Sequence, residues 1–166
     1  MPSKSTLARR LKSIKLLLLD VDGVMTDGGV YYGETGEEMK KFNSQDGYGI
    51  VQLQRRGVKI GILTGRFSRI VERRAHELGI SEVYQNMENK AEAYSAIKAR
   101  LEMNDREIAY IGDDEPDLPV LEQVGFSAAP ANAVPRVRSA VDYVCKRAGG
   151  GGAVREVVDL ILSGRT

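Results

Sequence analysis

Two aspartates, Asp20 and Asp22, follow directly after the apolar run Leu16–Leu19. A run this apolar is typical of a buried strand in a parallel sheet. Open α/β sheets bind ligands at the carboxyl ends of their strands, and Val21 between the aspartates keeps both carboxylates on the same side of an extended segment. Because two anions this close repel each other unless a cation or a proton lies between them, the pair predicts a metal site.

Three further polar clusters are placed in the same way. Thr64-Gly65-Arg66 follows a second apolar run, Lys90 begins a predicted helix, and GDDEPD at residues 112–117 follows the apolar run Ile108–Ile111. In a parallel sheet these clusters converge on one crevice with the aspartate pair. Each cluster alone is a weak signal, because aspartates often cap helices and a single lysine is usually a surface residue. Their order and their placement at strand ends carry the prediction.

Together these residue types fit phosphoryl transfer, which needs an in-line nucleophile and positive charge around the phosphoryl oxygens. Asp20 is the predicted nucleophile and forms an aspartyl phosphate. Asp22 is the predicted acid/base, which protonates the leaving oxygen and then deprotonates water. Asp113 adds a carboxylate to an all-oxygen site that suits Mg²⁺. Thr64 offers a hydroxyl and backbone N–H groups to the phosphoryl oxygens, and Lys90 supplies a fixed positive charge.

The rest of the chain alternates strand and helix signals, which predicts an α/β fold with a doubly wound parallel sheet. We expect a single domain over residues 1–166. Strands are predicted at Leu16–Leu19, Lys59–Leu63, Glu82–Tyr84, Ile108–Ile111 and 125–128, and helices at 47–56, 68–78, 90–101, 118–124 and 154–162.

One segment breaks this alternation. Residues 30–32 and 38–42 are rich in strand-forming side chains and flank the turn sequence GETG, which is typical of a β-hairpin, here at about residues 28–42. The hairpin follows the first strand and lies over the predicted site. No other insertion is long enough to form a cap domain. We describe residues 146–166 as a glycine-rich C-terminal tail, and we expect its removal after Cys145 to affect substrate handling more than folding.

The composition excludes several functional classes. The chain has 24 Lys and Arg against 23 Asp and Glu, so no net field recruits nucleic acid or an anionic membrane. It has one cysteine, Cys145, which fits a reducing compartment, and no apolar stretch of membrane-spanning length. The basic N-terminal sequence lacks the apolar core of a signal peptide, and we interpret it as a solvated lead-in or one helical turn. These features predict a cytoplasmic protein.

The four clusters, DVDGV, LTGR, Lys90 and GDDEPD, match in order the four motifs of the haloacid dehalogenase superfamily of phosphohydrolases, which the chain resembles. Longer segments, among them DVDGVMTDGGVYYGETGEEMKKFNSQDGYGI and AGGGGAVREVVDLIL, resemble its capless 3-deoxy-D-manno-octulosonate 8-phosphate (KDO 8-phosphate) phosphatase family. The resemblance extends over about residues 16–162. It implies a Rossmann-like fold and Mg²⁺-dependent hydrolysis of a sugar-acid phosphate.

The resemblance also implies a role for each matching residue. Asp20 matches the nucleophile and a metal ligand, Asp22 matches an acid/base that binds the metal through its backbone carbonyl, and Asp113 matches the third protein ligand. Thr64 and Lys90 match phosphate-binding positions. Together with Asp22 and Lys90, the matching substrate-site residues are Asn43, Ser44, Gln45, Asp46, Gly47, Arg66, Arg74 and Asp114.

The resemblance further implies a homotetramer in which the hairpins form a central β-barrel-like assembly. Neighbouring subunits then close each active site, and the glycine-rich C-terminal stretch reaches an adjacent subunit's site. The residues favour the same conclusion, because the hairpin side chains of Tyr31, Tyr32, Met39 and Phe42 carry more apolar area than an isolated two-stranded ribbon buries. The alternative is that the hairpin folds back on its own domain.

One position departs from the family pattern and leaves the substrate open. An arginine commonly follows DGYGI near the substrate carboxylate, whereas this chain has Val51. A related nine-carbon sugar-acid phosphate therefore remains an alternative substrate.

Two functional classes other than an enzyme could carry a similar set of residues. A receiver-type phospho-accepting signalling domain carries its phosphorylated aspartate after a central strand, but no lone aspartate follows Lys59–Leu63. A catalytically retired binding subunit would be free to lose some of the residues that this chain keeps. Both classes are therefore less favoured than a phosphatase.

Overall fold

The computed structural model describes residues 4–36 and 38–165. Residues 1–3, Glu37 and Thr166, which the predicted domain, hairpin and tail include, lie outside the described residues. The α-helices are α1 Lys4–Ser13, α2 Ser44–Arg55, α3 Arg69–Glu77, α4 Lys90–Arg100, α5 Leu118–Leu121, α6 Pro135–Ala140 and α7 Ala153–Ser163. The strands are β1 Leu16–Leu19, β2 Tyr31–Tyr32, β3 Glu38–Met39, β4 Lys59–Leu63, β5 Glu82–Tyr84, β6 Ile108–Ile111, β7 Phe126–Ala129 and β8 Tyr143–Val144.

A six-stranded parallel sheet in the order β5-β4-β1-β6-β7-β8 forms the centre of the fold. Strand β1 lies between β4 and β6, with Leu17 in register with Ile60 on one side and Ala109 on the other. From β1 the chain first builds the sheet outwards through β4 and β5, and then in the opposite direction through β6, β7 and β8. The carboxyl end of β1 is therefore the switch point where doubly wound sheets bind ligands.

Both faces of the sheet are covered, which explains why β1 consists of four consecutive leucines. Leu17 and Leu19 pack in the core layer that contains α2, α3 and α7, whereas Leu16 and Leu18 pack in the layer that contains α4, α5 and α6. Side chains alternate between the faces of a strand, so a strand buried on both sides requires an apolar residue at every position. The predicted α/β fold is confirmed, and four of its five predicted strands have the predicted bounds.

Short or locally capped elements were less predictable. The N-terminal segment is a helix of 10 residues rather than a lead-in or a single turn, and Leu11 anchors it in the core. Helix α2 begins three residues before its predicted start, because the Asn43 side chain accepts hydrogen bonds from the N–H groups of Gln45 and Asp46. Helix α6 and the two-residue strand β8 were not predicted, since neither has a run of residues long enough to show periodicity.

The C-terminal segment is a structural element of the core and not a tail. Ala153, Val154, Val157, Val158 and Ile161 are all fully buried. This burial contradicts the expectation that removing residues after Cys145 would affect substrate handling more than folding, because the deletion would expose the core residues that α7 covers.

Helix α7 packs against α2 at two specific points. A side chain at Gly49 would approach Arg155 Cδ to 2.8 Å, so a glycine allows the two helices to lie close together. The backbone N–H of Arg155 donates to Asp46 Oδ1 at 2.7 Å, which caps the first turn of α7 from α2. Both contacts place α7 in a defined position on the domain.

The predicted hairpin is confirmed for the described residues. Strands β2 and β3 pair antiparallel, with Tyr31 opposite Met39, and form a separate two-stranded sheet. The face that carries Tyr31 and Met39 is apolar and open to solvent, since Tyr31 is 48% and Met39 is 66% exposed. Phe42, at the end of the segment, packs against the core instead.

Two composition-based expectations can be compared with the described part of the chain. None of its helices has both the length and the apolar character needed to cross a bilayer. Cys145 is free and buried, as expected for a small core residue.

We predict that Ile161→Ala lowers the free energy of unfolding by about 3 kcal/mol, because it leaves a cavity in a fully buried site. The control Asp159→Ala, on the exposed side of the same helix, removes an i,i+4 ion pair with Arg155 and should cost less than about 0.5 kcal/mol. Urea unfolding of both variants measures the difference. Equal, small effects would show that α7 is dispensable for stability.

Candidate active site

The chain turns sharply after β1, and this turn presents the two aspartates. The N–H of Asp20 donates to the Ile111 carbonyl at 3.0 Å, so Asp20 continues the ladder between β1 and β6. Gly23 has a φ of +89°, a left-handed conformation that favours glycine. A Cβ atom at Gly23 would also overlap the carboxylate of Asp113. The glycine in DVDGV is thus required both by the turn and by the approach of a second acidic residue.

A buried ammonium group joins the first and last motifs. Lys90 Nζ lies 2.8 Å from Asp20 Oδ1, 2.5 Å from Asp117 Oδ1 and 3.3 Å from the Tyr110 hydroxyl. The Lys90 side chain is only 7% exposed. Burial by itself lowers the pKa of Lys90, but the charges of Asp20 and Asp117 raise it above its ordinary value. Lys90 therefore remains a cation beside the predicted nucleophile.

Asp117 is a buried site residue that sequence reasoning missed. Its Oδ1 accepts hydrogen bonds from Lys90 and from the Tyr110 hydroxyl, and its Oδ2 accepts from the backbone N–H groups of Asp113 and Asp114. Asp117 thus fixes the loop that carries Asp113. Asp117 is the last residue of the motif GDDEPD. The first residue of that motif, Gly112, could have indicated its importance, because a Cβ atom at Gly112 would lie 2.5 Å from the Asp117 Cβ.

The donor set fits a hard divalent cation. Carboxylate oxygens of Asp20, Asp113 and Asp117 lie within 4.8 Å of one another. Burial raises the pKa of Asp20 to about 6, and burial together with the neighbouring carboxylates raises the pKa of Asp113 to about 8. This crowded negative charge favours a bound cation, and an all-oxygen set favours Mg²⁺. Both carboxylate oxygens of Asp117 already accept hydrogen bonds, from Lys90, Tyr110 and backbone N–H groups. The residues suited to hold the ion are therefore Asp20 and Asp113.

Thr64 stands at the carboxyl end of β4, where the predicted phosphate-binding loop begins. Its N–H donates to the Tyr84 carbonyl at 3.0 Å, and its carbonyl accepts from the Met87 N–H at 3.1 Å. These bonds fix the loop against β5. The Thr64 backbone N–H, which sequence reasoning offered to the phosphoryl oxygens, is therefore already used, and the hydroxyl is the group that remains.

The hairpin contacts the predicted acid/base. Lys40 Nζ lies 2.6 Å from Asp22 Oδ1, and Arg66 Nε lies 3.7 Å from Asp22 Oδ2. Arg66 also donates to the Tyr32 hydroxyl at 3.1 Å. Sequence reasoning missed Lys40, although its position directly after strand β3 and next to the outward-facing Met39 predicts an inward side chain.

Seven of the predicted residues line one open cleft of about 320 Å³. They are Asp20, Asp22, Thr64, Arg66, Lys90, Asp113 and Asp114. They come from four separate parts of the chain, as the switch-point argument required.

The other predicted substrate residues, at 43–47 and Arg74, do not line that cleft and make structural contacts instead. Asn43 caps α2, and Asp46, which is buried, caps α7. Burial raises the pKa of Asp46, and its hydrogen bond from the Arg155 N–H works in the opposite direction. Ser44 is exposed at the start of α2.

The last three of these residues, Gln45, Gly47 and Arg74, connect α2 to the segments that pack beside it. The Gln45 side chain accepts a hydrogen bond from Arg147 at 2.9 Å. A side chain at Gly47 would overlap the guanidinium of Arg74, which also lies over the Phe42 ring at 5.6 Å. These three residues therefore make contacts within the fold and do not line the cleft.

The glycine run packs directly on the aspartate-bearing turn. A Cβ atom at Gly149 would overlap the Gly23 carbonyl oxygen. Gly150 has a φ of +64°, and its N–H donates to the Val24 carbonyl at 3.1 Å. The Asn43 side chain donates to the Gly150 carbonyl at 3.4 Å. The glycine run therefore supports the turn that carries Asp20 and Asp22, through backbone-to-backbone packing within the same chain.

The chain is similar to known proteins along nearly its whole length. Residues 77–157 match the haloacid dehalogenase-like hydrolase family. Over 161 residues the chain is 45% identical to the 3-deoxy-D-manno-octulosonate 8-phosphate phosphatase of Escherichia coli K12, an alignment that covers 97% of this chain and 86% of that protein.

Solved structures of phosphatases with the same name also match the chain. The crystal structure of the Yersinia pestis 3-deoxy-D-manno-octulosonate 8-phosphate phosphatase matches with a TM-score of 0.95 and 46% identity, covering 99% of this chain and 89% of that one. The Moraxella catarrhalis enzyme, in complex with a magnesium ion, a phosphate ion and a KDO molecule, matches with a TM-score of 0.95 and 40% identity, covering 98% and 94% of the two chains.

We predict that Gly149→Ala reduces kcat/KM for phosphate-ester hydrolysis at least tenfold, because the added methyl group must displace the Gly23 carbonyl and the aspartates with it. The control Gly151→Ala places its methyl group 3.1 Å from the Ala148 carbonyl, away from the turn, and should retain activity within about twofold. Steady-state kinetics with p-nitrophenyl phosphate and melting curves measure both effects. Full activity of Gly149→Ala would contradict the supporting role of the run.

Proposed function

The chain belongs to the 3-deoxy-D-manno-octulosonate 8-phosphate phosphatase family of haloacid dehalogenase-like hydrolases, and we propose that it releases phosphate from 3-deoxy-D-manno-octulosonate 8-phosphate in a Mg²⁺-dependent reaction. The observation that carries the chemistry is the carboxylate of Asp20, held by a buried ammonium group and placed beside Asp113. The sugar is inferred from the identity of 45% with a phosphatase of that name across 97% of the chain.

The first step transfers the phosphoryl group to the enzyme. A carboxylate oxygen of Asp20 forms a bond to phosphorus while the bond from phosphorus to the sugar oxygen breaks. Asp22 gives its proton to that departing oxygen, so the sugar leaves as an alcohol. A neutral alcohol is a far better leaving group than an alkoxide, which is why the step needs an acid at this position.

The second step regenerates the enzyme. Asp22, now a carboxylate, takes a proton from a water molecule as the water oxygen bonds to phosphorus and the bond to Asp20 breaks. Thr64 and Lys90 face the phosphoryl oxygens, with Lys90 as a fixed cation and Thr64 as a hydroxyl donor. Asp20, Asp113 and the Asp22 carbonyl would hold Mg²⁺, which would supply positive charge that offsets the repulsion between the carboxylate and the phosphate.

Selection of the sugar involves the rim of the cleft. Arg66 and Asp114 line the cleft and are proposed to bind the sugar acid. Val51 packs against the core rather than presenting a cation, so Arg66 is the arginine best placed for the substrate carboxylate. This departure also favours testing a nine-carbon sugar-acid phosphate as the second candidate substrate.

We further propose a homotetramer that works in the cytoplasm. The cleft is open and the described chain has no cap domain over it, although hydrolysis requires that bulk water be excluded. A neighbouring subunit would supply that cover. The exposed apolar hairpin is the surface on which subunits would meet. The single free cysteine is consistent with a reducing compartment.

We predict that the protein hydrolyses 3-deoxy-D-manno-octulosonate 8-phosphate with Mg²⁺ and loses activity when the ion is removed with EDTA. Asp20→Asn should abolish turnover, because an amide oxygen is a poor nucleophile for phosphorus. Phosphate release from a panel of eight- and nine-carbon sugar-acid phosphates measures the preference. Full turnover by Asp20→Asn would overturn the mechanism, and a higher kcat/KM for a nine-carbon substrate would replace the proposed sugar.

We predict that Met39→Asp dissociates the assembly, because a charge on the exposed hairpin is costly to bury in an interface. Light scattering after gel filtration should show four chains for the wild type and fewer for the variant. The control is Val144→Asp, an exposed apolar position on strand β8 at the edge of the other sheet, and it should leave the mass unchanged. A monomeric wild type would refute the tetramer.

A further inference from the structure

Lys40 is a buried cation that the mechanism above does not use. It follows strand β3, whose last residue, Met39, faces solvent, so the alternation of an extended chain turns Lys40 inwards. Its side chain is only 1% exposed, and its Nζ lies 2.6 Å from Asp22 Oδ1. The neighbouring Lys41 is the opposite case, with a side chain that is 68% exposed and 3.5 Å from Asp27.

The other oxygen of Asp22 faces a second cation linked to the same hairpin. Arg66 Nε lies 3.7 Å from Asp22 Oδ2, and Arg66 donates to the Tyr32 hydroxyl on strand β2. The hairpin thus contacts one oxygen of Asp22 directly through Lys40 and is linked to the other oxygen through the hydrogen bond between Tyr32 and Arg66. An exposed loop that served only as an interface would not require a buried lysine at this point.

We propose that Lys40 is a positioning residue that holds Asp22 in the orientation needed for proton transfer. The inference rests on the proposed role of Asp22 as the acid/base. When Asp22 gives its proton to the leaving sugar oxygen, a negative charge appears on its carboxylate. The Lys40 ammonium offsets that charge, and because Lys40 is nearly inaccessible to water, the interaction is weakly screened.

The leaving group distinguishes this role from a purely structural one. A sugar alkoxide needs a proton to depart, whereas p-nitrophenolate leaves readily without one. For both substrates kcat/KM reports the steps up to departure of the leaving group, so an impaired acid lowers it for the sugar phosphate alone. General acid catalysis contributes about 10²–10⁴-fold, and a misplaced acid loses part of that.

The test is Lys40→Met, assayed with 3-deoxy-D-manno-octulosonate 8-phosphate and with p-nitrophenyl phosphate in saturating Mg²⁺. We expect kcat/KM to fall about 30-fold for the sugar phosphate and less than about threefold for the aryl phosphate. Lys40→Arg, which keeps the cation, should recover most of the loss. The control Lys41→Met should match the wild type with both substrates.

Two results would overturn the inference. An equal fall with both substrates would make Lys40 a structural residue of the hairpin, and no fall with either would show that Asp22 needs no partner. Asp22→Asn in the same series separates this outcome from failure of the mechanism. If Asp22→Asn loses the sugar phosphate selectively and Lys40→Met does not, the role of Lys40 is wrong and that of Asp22 stands. If Asp22→Asn is not selective either, the acid assignment itself fails.

Discussion

The buried ammonium group of Lys90 is the interaction on which the site depends. It bridges Asp20 and Asp117, two of the three carboxylates that crowd the carboxyl ends of β1 and β6. Removing one partner of such a buried pair typically costs about 3–5 kcal/mol, because the other charge is left uncompensated. The same lysine therefore links stability to chemistry. Burial raises the pKa of Asp20, the proposed nucleophile, and the Lys90 charge opposes that shift while leaving negative charge for a metal ion.

Glycines let the supporting elements approach this centre. Gly23 admits the Asp113 carboxylate, and Gly149 lies against the Gly23 carbonyl, so segments 126 residues apart in the sequence meet on the turn that carries Asp20 and Asp22. Behind them, α7 is anchored in the core by its apolar side and capped by Asp46. The glycine run therefore has a structural task within its own chain.

Much of this could be predicted from local signals. The leucine run, the strand–helix alternation and the four clusters at strand ends predicted the sheet and seven cleft residues, because parallel strands bring their carboxyl ends to one edge whatever lies between them. Elements without such a signal were missed. Strand β8 has only two residues. Helix α1 is stabilised by the packing of its Leu11 side chain in the core rather than by intrinsic helix propensity.

Residue type and spacing therefore sufficed to predict a nucleophile, an acid/base and an acidic metal-binding cluster at one edge of the sheet, since these predictions depend on chemistry and on sheet topology alone. Only the tertiary structure decided which charges meet. Asp117 and Asp114 are both acidic residues of one motif, yet only Asp117 is buried against Lys90. Lys40 and Lys41 are adjacent and chemically identical, yet only Lys40 reaches Asp22. Side-chain direction and desolvation separate such pairs, and both arise from packing between residues far apart in the chain.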